Sequence, residues 1–296
     1  MGVGNVGCCD NNTTLKNSEI SVQSVTYREG NEDYIFSPNA VSLPRGQADF
    51  QVSDMLKRMK KLKRIEIYYT LTLKIVNLPT HDFLIIKPTG LIESSRGTLD
   101  GYIFFGCKYK QDGIIVNDYK LPLKDQEKSQ ELHGRFFMIY YNLDSGSYWI
   151  KDLNKGPGLF IKLDYALVMK DGMIINIGNS FLLFNFKSKI ISNPEVEVRK
   201  LGDDNYRVDL SGLDCISGVV IGRGHNCKVR IRDESLSKSH ATLTYAPTSG
   251  WILADGDMLH NASTNGTWLY ASEEFEVYDQ MFFKISQIVF QANLTK

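Results

Sequence analysis

The sequence predicts an all-β protein made of two tandem antiparallel β-sandwiches, and three observations predict it. Short β-type runs recur along most of the chain, with Gly, Asp and Asn punctuating them. Several of these runs alternate apolar and polar residues, as half-buried strands do. The two halves also repeat one another: SYWIKDLNKGPGLFIKL…MKDGMIINIGNSFLLFNF corresponds to GWILADGDMLHNASTNGTWLY…VYDQMFFKISQIVFQANL. Each copy has an aromatic strand ending in Asp, a Gly-bearing loop, a strand, and two closing strands.

The chain has 296 residues, enough for two domains. Lys plus Arg and Asp plus Glu number 34 each, so the net charge is zero. No basic excess is available for general nucleic-acid binding, and no nucleic-acid partner is expected. A hydrophobic fraction of 43% with 11% aromatics supports packed cores. No apolar run is long enough to span a membrane, and residues 1–25 lack the apolar core of a secretory signal. Five cysteines, an odd number, argue against a disulfide framework and for a reducing, intracellular setting.

Taken in order, residues 1–50 are rich in Asn, Ser, Thr and Gly without a sustained period, and an irregular segment is expected there. Residues 51–64 read as a short basic helix. Ser53 or Asp54 would cap it, Met55, Met59 and Leu62 would share one face, and Lys57, Arg58, Lys60, Lys61, Lys63 and Arg64 would lie on the other. From Ile65 the alternation of IEIYYTLTLKIV marks a strand. The repeat then places one sandwich over 65–190 and a second over 191–296, with the boundary near Ser192–Pro194.

The second half concentrates the chemistry. Ile221-Gly222-Arg223 ends one run, Ser237-Lys238-Ser239-His240 precedes ATLTY, and Ser263-Thr264-Asn265-Gly266-Thr267 precedes TWLY. A phosphate monoester carries close to two charges near neutral pH and needs fixed donors. Arg223 offers a planar guanidinium fork, which a lysine point charge does not reproduce. Ser237 adds a hydroxyl and Lys238 a diffuse positive charge. The carboxamide of Asn265 can grip ligand main chain, and Asn-Gly suits a turn needing positive φ. The bland alternative for Arg223 is a surface ion pair with Asp233 or Glu234.

These three elements (Gly-Arg, Ser-x-x-His and Asn-Gly), in this order over roughly residues 195–294, resemble the forkhead-associated (FHA) domain, a phosphothreonine-reading β-sandwich. The resemblance implies that Arg223, Ser237 and Lys238 bind phosphate and that Thr264 and Asn265 hold the peptide. Gly222, His240 and Gly266 would support the site, His240 as a pin between loops. It further implies a non-enzymatic adaptor for a phosphothreonine-containing protein, with no cofactor. Ser235 stands where relatives tune specificity.

The first half resembles the same domain with its site eroded. Cys107 follows Gly106 where Arg is expected, Gln130-Glu131-Leu132-His133 takes the Ser-x-x-His place, and Lys155-Gly156-Pro157-Gly158 replaces the Asn-Gly loop. The competing reading is a structural protein, in which both sandwiches act as phosphate-independent blocks of a cytoskeletal or axonemal assembly.

Several literal matches carry nothing. Gly2 to Gly7 fits G-x-G-x-x-G but has no strand before it, and the cysteines lack partners at metal spacing, so no metal site is expected. The N-terminus does carry one further signal. Gly2 is a myristoylation candidate, and Cys8 and Cys9 are palmitoylation candidates, although Val6 stands where the pattern prefers Ser or Thr. Two acyl chains, or one with the basic helix, would hold the chain at an anionic membrane surface; the alternative is an unmodified polar tail. Intact-mass measurement of the native N-terminus checks this, with acyl mass expected at Gly2 and at Cys8 or Cys9.

Overall fold

In strand Thr70–Ile75, Leu71, Leu73 and Ile75 are buried while Thr72 and Lys74 are more exposed, as the period of two requires. A computed structural model of the chain describes residues 26–29, 32–35, 45–79, 83–111, 113–123, 134–187, 194–257 and 261–296. Gly2, Cys8 and Cys9 lie outside the described residues.

The N-terminal region departs from expectation. Within the stretch expected to be irregular, Thr26–Glu29 pairs antiparallel with Glu32–Ile35. The signal was present, since Gly30-Asn31 separates the two runs. The helix begins at Arg45 and ends at Lys63, so Ser53 and Asp54 lie inside it and cap nothing. Met59 and Leu62 are buried as the spacing predicts. Arg58, expected on the solvated face, instead docks inward. Its Nε donates to Asp100 O at 3.0 Å and Nη2 to Tyr141 O at 2.6 Å, and the guanidinium lies 4.4 Å above the Tyr102 ring. An arginine stem can cover apolar surface while its head finds carbonyls. Among the described residues, no helix is long and apolar enough to cross a membrane.

The protein is all-β, and one eleven-stranded sheet runs through both halves. Its order begins Arg207–Ser211, Glu195–Lys200, Ser180–Phe186, Met173–Ile177, Thr267–Tyr270. It continues Leu159–Lys162, Phe282–Ile285, Ile288–Thr295, Thr70–Ile75, Phe83–Lys87, Gly90–Leu91. A five-stranded sheet built around Tyr102–Gly106, Phe137–Asn142 and Ser147–Asp152 covers one end. Another, built around Val219–Gly222, Ala241–Ala246 and Gly250–Asp255, covers the other.

The cores divide the chain differently from the boundary expected near 190. One core joins residues of 62–161 to Ala271, Val277, Met281, Phe283, Ile285, Ile288, Phe290 and Ala292. The other is continuous in sequence and runs from Met169 to Leu269. The closing hairpin of each repeat therefore completes the opposite sandwich. Phe283 and Phe290 stack on each other at 5.0 Å and meet Phe137 edge-on, while Leu182 and Phe184 are fully buried in the second core. The cause is local. After Lys162 and after Tyr270 only short connections follow before Leu167–Val168 pairs with Ile252 and Leu253, and Phe275–Glu276 with Trp149 and Ile150. Sequence periodicity places hairpins in a repeat but cannot say on which copy they land.

This arrangement makes 163–270 the contiguous folding unit. A fragment of those residues is expected to unfold cooperatively, because it keeps Ile175, Ile177, Leu182 and Phe184 over the second core. A 191–296 fragment loses all four and is expected to be much less stable, each large apolar side chain contributing about 2–5 kcal/mol. Thermal melts of the two fragments check this; equal stability would show the hairpins to be interchangeable.

Candidate functional site

Three loops at one end of the second sandwich meet beside Arg223. Strand Val219–Gly222 delivers Arg223, which is exposed, just past the point where Ile221 pairs with Ala241. Its backbone N–H bonds Ser237 O at 3.2 Å and that of Gly224 bonds Lys238 O at 3.0 Å, so the two loops run against each other. Gly222 is required there, because a Cβ would lie 2.5 Å from Lys238 O.

Arg223 Nε donates to Leu236 O at 2.6 Å, which fixes the plane of the guanidinium. Among the described residues it forms no ion pair with Asp233 or Glu234. Asp233 is otherwise engaged, accepting from Asn179 N at 2.9 Å and Ser180 Oγ at 3.1 Å. A groove of about 630 Å³ lies beside the guanidinium, lined by Val220, Gly224, His225, Asn226, Lys238 and Ser239 among others.

The Ser237 hydroxyl bridges to the third loop, accepting from Thr264 N at 3.0 Å with Thr264 Oγ1 at 3.2 Å. Asn265 Nδ2 donates to Ser235 O at 2.7 Å, which leaves its amide oxygen and second N–H for a ligand backbone. That loop is tied down beneath. Asp255 accepts from Ser263 Oγ and Thr267 Oγ1, both at 2.6 Å, and Trp268 Nε1 donates to Asn265 O at 2.9 Å. Gly266 supplies the positive φ of 74° that closes the turn.

His240 is wholly buried beneath these loops. Its Nδ1 accepts from Ser237 N at 3.2 Å, and Nε2 lies 3.1 Å from Gly266 O, where it can only donate. Burial holds its pKa below the usual 6.5, so the ring is neutral with the proton on Nε2. One side chain thus joins the Ser237 and Gly266 loops. The structure brings together all of Gly222, Arg223, Ser237, Lys238, His240, Thr264, Asn265 and Gly266.

Four contributors carry no signal in the sequence. Asp255 and Trp268 anchor the Asn265 loop from inside strands, where they read as ordinary core positions. Asn179 and Ser180 come from the first repeat, and no local signal could place them beside Asp233.

The corresponding place in the first sandwich is built otherwise. Phe105 pairs with Phe137 as Ile221 does with Ala241, so Gly106 matches Gly222 and Cys107 matches Arg223. The same register puts Phe136 where His240 stands, and corrects the assignment of His133 to that place. Gln130, Glu131 and His133 themselves lie outside the described residues. Phe136 is fully buried, and a Cβ on Gly156 would touch its ring at 2.5 Å. An apolar ring packs that loop where the second half uses a hydrogen-bonded imidazole.

Residues 219–274 match the family model of the FHA domain, and this part of the chain is an FHA domain. No curated protein and no solved structure matches the chain.

The buried imidazole sets a pH dependence. Its contribution is complete above pH 6.5, where folded and unfolded chains both carry it neutral, and is lost as pH falls below 6.5 because only the unfolded chain takes up the proton readily. Melts between pH 7.5 and 5 are expected to show this loss in the native chain and a shallower slope in His240→Asn. The variant should also be less stable at pH 7.5 by about 2 kcal/mol, since partners at Ser237 N and Gly266 O are lost.

Proposed function

We propose that this chain is a non-enzymatic adaptor whose FHA domain captures a phosphothreonine segment of a partner protein. FHA domains are in general phosphopeptide-binding modules rather than enzymes. The observation that carries the reading is the Arg223 guanidinium. It is exposed, oriented by the Leu236 carbonyl and without a carboxylate partner among the described residues, and its backbone N–H bonds the carbonyl of Ser237, whose hydroxyl pairs with Thr264. Such a fork is prepared for two oxygens of a dianion.

In this reading Arg223 and Ser237 hold the phosphate and Lys238 adds charge at the rim of the same groove. Thr264 positions Ser237, and Asn265 takes the ligand main chain. Gly222, His240 and Gly266 hold the loops at the right separation and touch no ligand. The first sandwich serves as scaffold: Cys107, Phe136 and Pro157 stand where a guanidinium, an imidazole and a carboxamide would be needed. Phe136 supports this assignment most, because it removes the polar bridge between loops that the second half depends on.

Arg223→Ala is expected to weaken phosphothreonine-peptide binding to the full chain by about 30- to 1000-fold, the loss of a charge-assisted fork worth roughly 2–4 kcal/mol. Its melting temperature should stay unchanged, since the side chain is exposed. Calorimetry with paired phosphorylated and unphosphorylated peptides reads this. Equal binding of the pair by the native chain would end the proposal.

A further inference from the structure

Where the two sandwiches join, a second groove of about 440 Å³ opens on the outer side of the eleven-stranded sheet. Asn265 and Asn179 line one end of it, and Pro157, Asn77 and Gln287 are contributed by the first sandwich. It is therefore continuous with the FHA site, since Asn265 belongs to both. Phe160, Phe181 and Trp268 supply aromatic surface within it. Strands Met173–Ile177, Thr267–Tyr270, Leu159–Lys162 and Phe282–Ile285 lie side by side beneath it. At strand spacings near 4.8 Å they span about 14 Å, the reach of about four extended residues.

Among the described residues Lys284 is the one charged residue of the groove's lining, and no acidic residue lines it. Its ammonium lies 4.4 Å over the Trp268 ring and donates to Asn176 Oδ1 at 2.6 Å. Among the described residues no carboxylate pairs with it. Burial lowers its pKa to about 8, as expected for a cation held on neutral partners.

We infer that the residues flanking the phosphothreonine leave the FHA site across this junction groove and set a carboxylate side chain against Lys284. The inference rests on the phosphothreonine reading of the FHA site and adds a specificity determinant built jointly by both sandwiches. The exposed carboxamide of Asn179 suits an extended main chain, that of Asn77 being bonded to Gln287 O and Val289 N, and the aromatic faces suit the side chains between. The first sandwich then reads ligand directly, although its own FHA-like place lacks the phosphate-binding groups.

The test screens a phosphothreonine peptide library, degenerate on both flanks, against the full-length native chain, Lys284→Gln and Lys284→Arg. The native chain and Lys284→Arg are expected to select Asp or Glu at one flanking position. Lys284→Gln should lose that selection and bind the selected peptide about tenfold more weakly, with phosphate dependence intact. Phosphate-dependent capture with the same flanking profile in Lys284→Gln overturns the inference alone, whether a second copy or this chain's own N-terminal residues then cover the groove. Capture indifferent to phosphate overturns the proposed function, and this inference with it.

Discussion

The antiparallel pairing of Leu159–Lys162 with Thr267–Tyr270 is the contact on which the rest of the molecule depends. Phe160 faces Tyr270, Ile161 faces Leu269 and Lys162 faces Trp268. This seam fuses what would be two sheets into one, and at its ends the chain crosses from one sandwich to the other. Because of the crossing, hairpin Met173–Ile177 and Ser180–Phe186 of the first repeat roofs the second core. Its turn reaches the loop before Ser237 through Asn179 and Asp233. The proposed phosphate-binding surface of one repeat thereby acquires residues from the other, and the junction groove forms along the same seam.

The two repeats keep the backbone features that bring loops close and differ in what fills the space between them. Gly106 and Gly222 both sit where a Cβ would strike a carbonyl, at 1.7 Å from Gly134 O and 2.5 Å from Lys238 O. Asp152 and Asp255 both accept from the loop that follows, Asp152 from Asn154 N and Leu159 N, Asp255 from Ser263 and Thr267. Above this shared frame the second half carries His240, whose two nitrogens satisfy a part-buried N–H and a buried carbonyl. The first half carries Phe136, which packs without polar demands. A ring that needs no partner stabilises a loop at lower risk of leaving a group unsatisfied, but it contributes nothing toward an anion. The asymmetry fits one binding site on a double scaffold.

Much of this was legible in the amino-acid sequence, for reasons that can be traced to particular residues. Gly222-Arg223, Ser237 to His240 and Asn265-Gly266 are close-range signatures, because each marks a loop whose geometry depends on residues within it. The alternation of Leu71, Leu73 and Ile75 likewise declares a strand. The landing place of the hairpins was not legible, since Phe184 and Ala292 occupy equivalent places in the repeat and either could be buried in either copy. Nor was the helix start, because Arg45 to Val52 lack the apolar spacing that Met55, Met59 and Leu62 provide. The match of His133 to His240 fails because it rests on the histidine alone, in a loop of changed length. Only the pairing of Phe105 with Phe137 identifies Phe136 as the counterpart. Lys284 and Asn176, contributed by opposite repeats, gave no signal of their meeting.

The proposed function requires that one end of the second sandwich, and not its counterpart in the first, hold phosphate. Backbone amide shifts of the full chain, followed by NMR during titration with inorganic phosphate, test this most directly. Saturable shifts are expected at Arg223, Ser237, Lys238, Thr264 and Asn265, with Cys107, Phe136 and Gly156 unmoved. Shifts of equal size at the first-half positions, or none at the second-half positions, would contradict it.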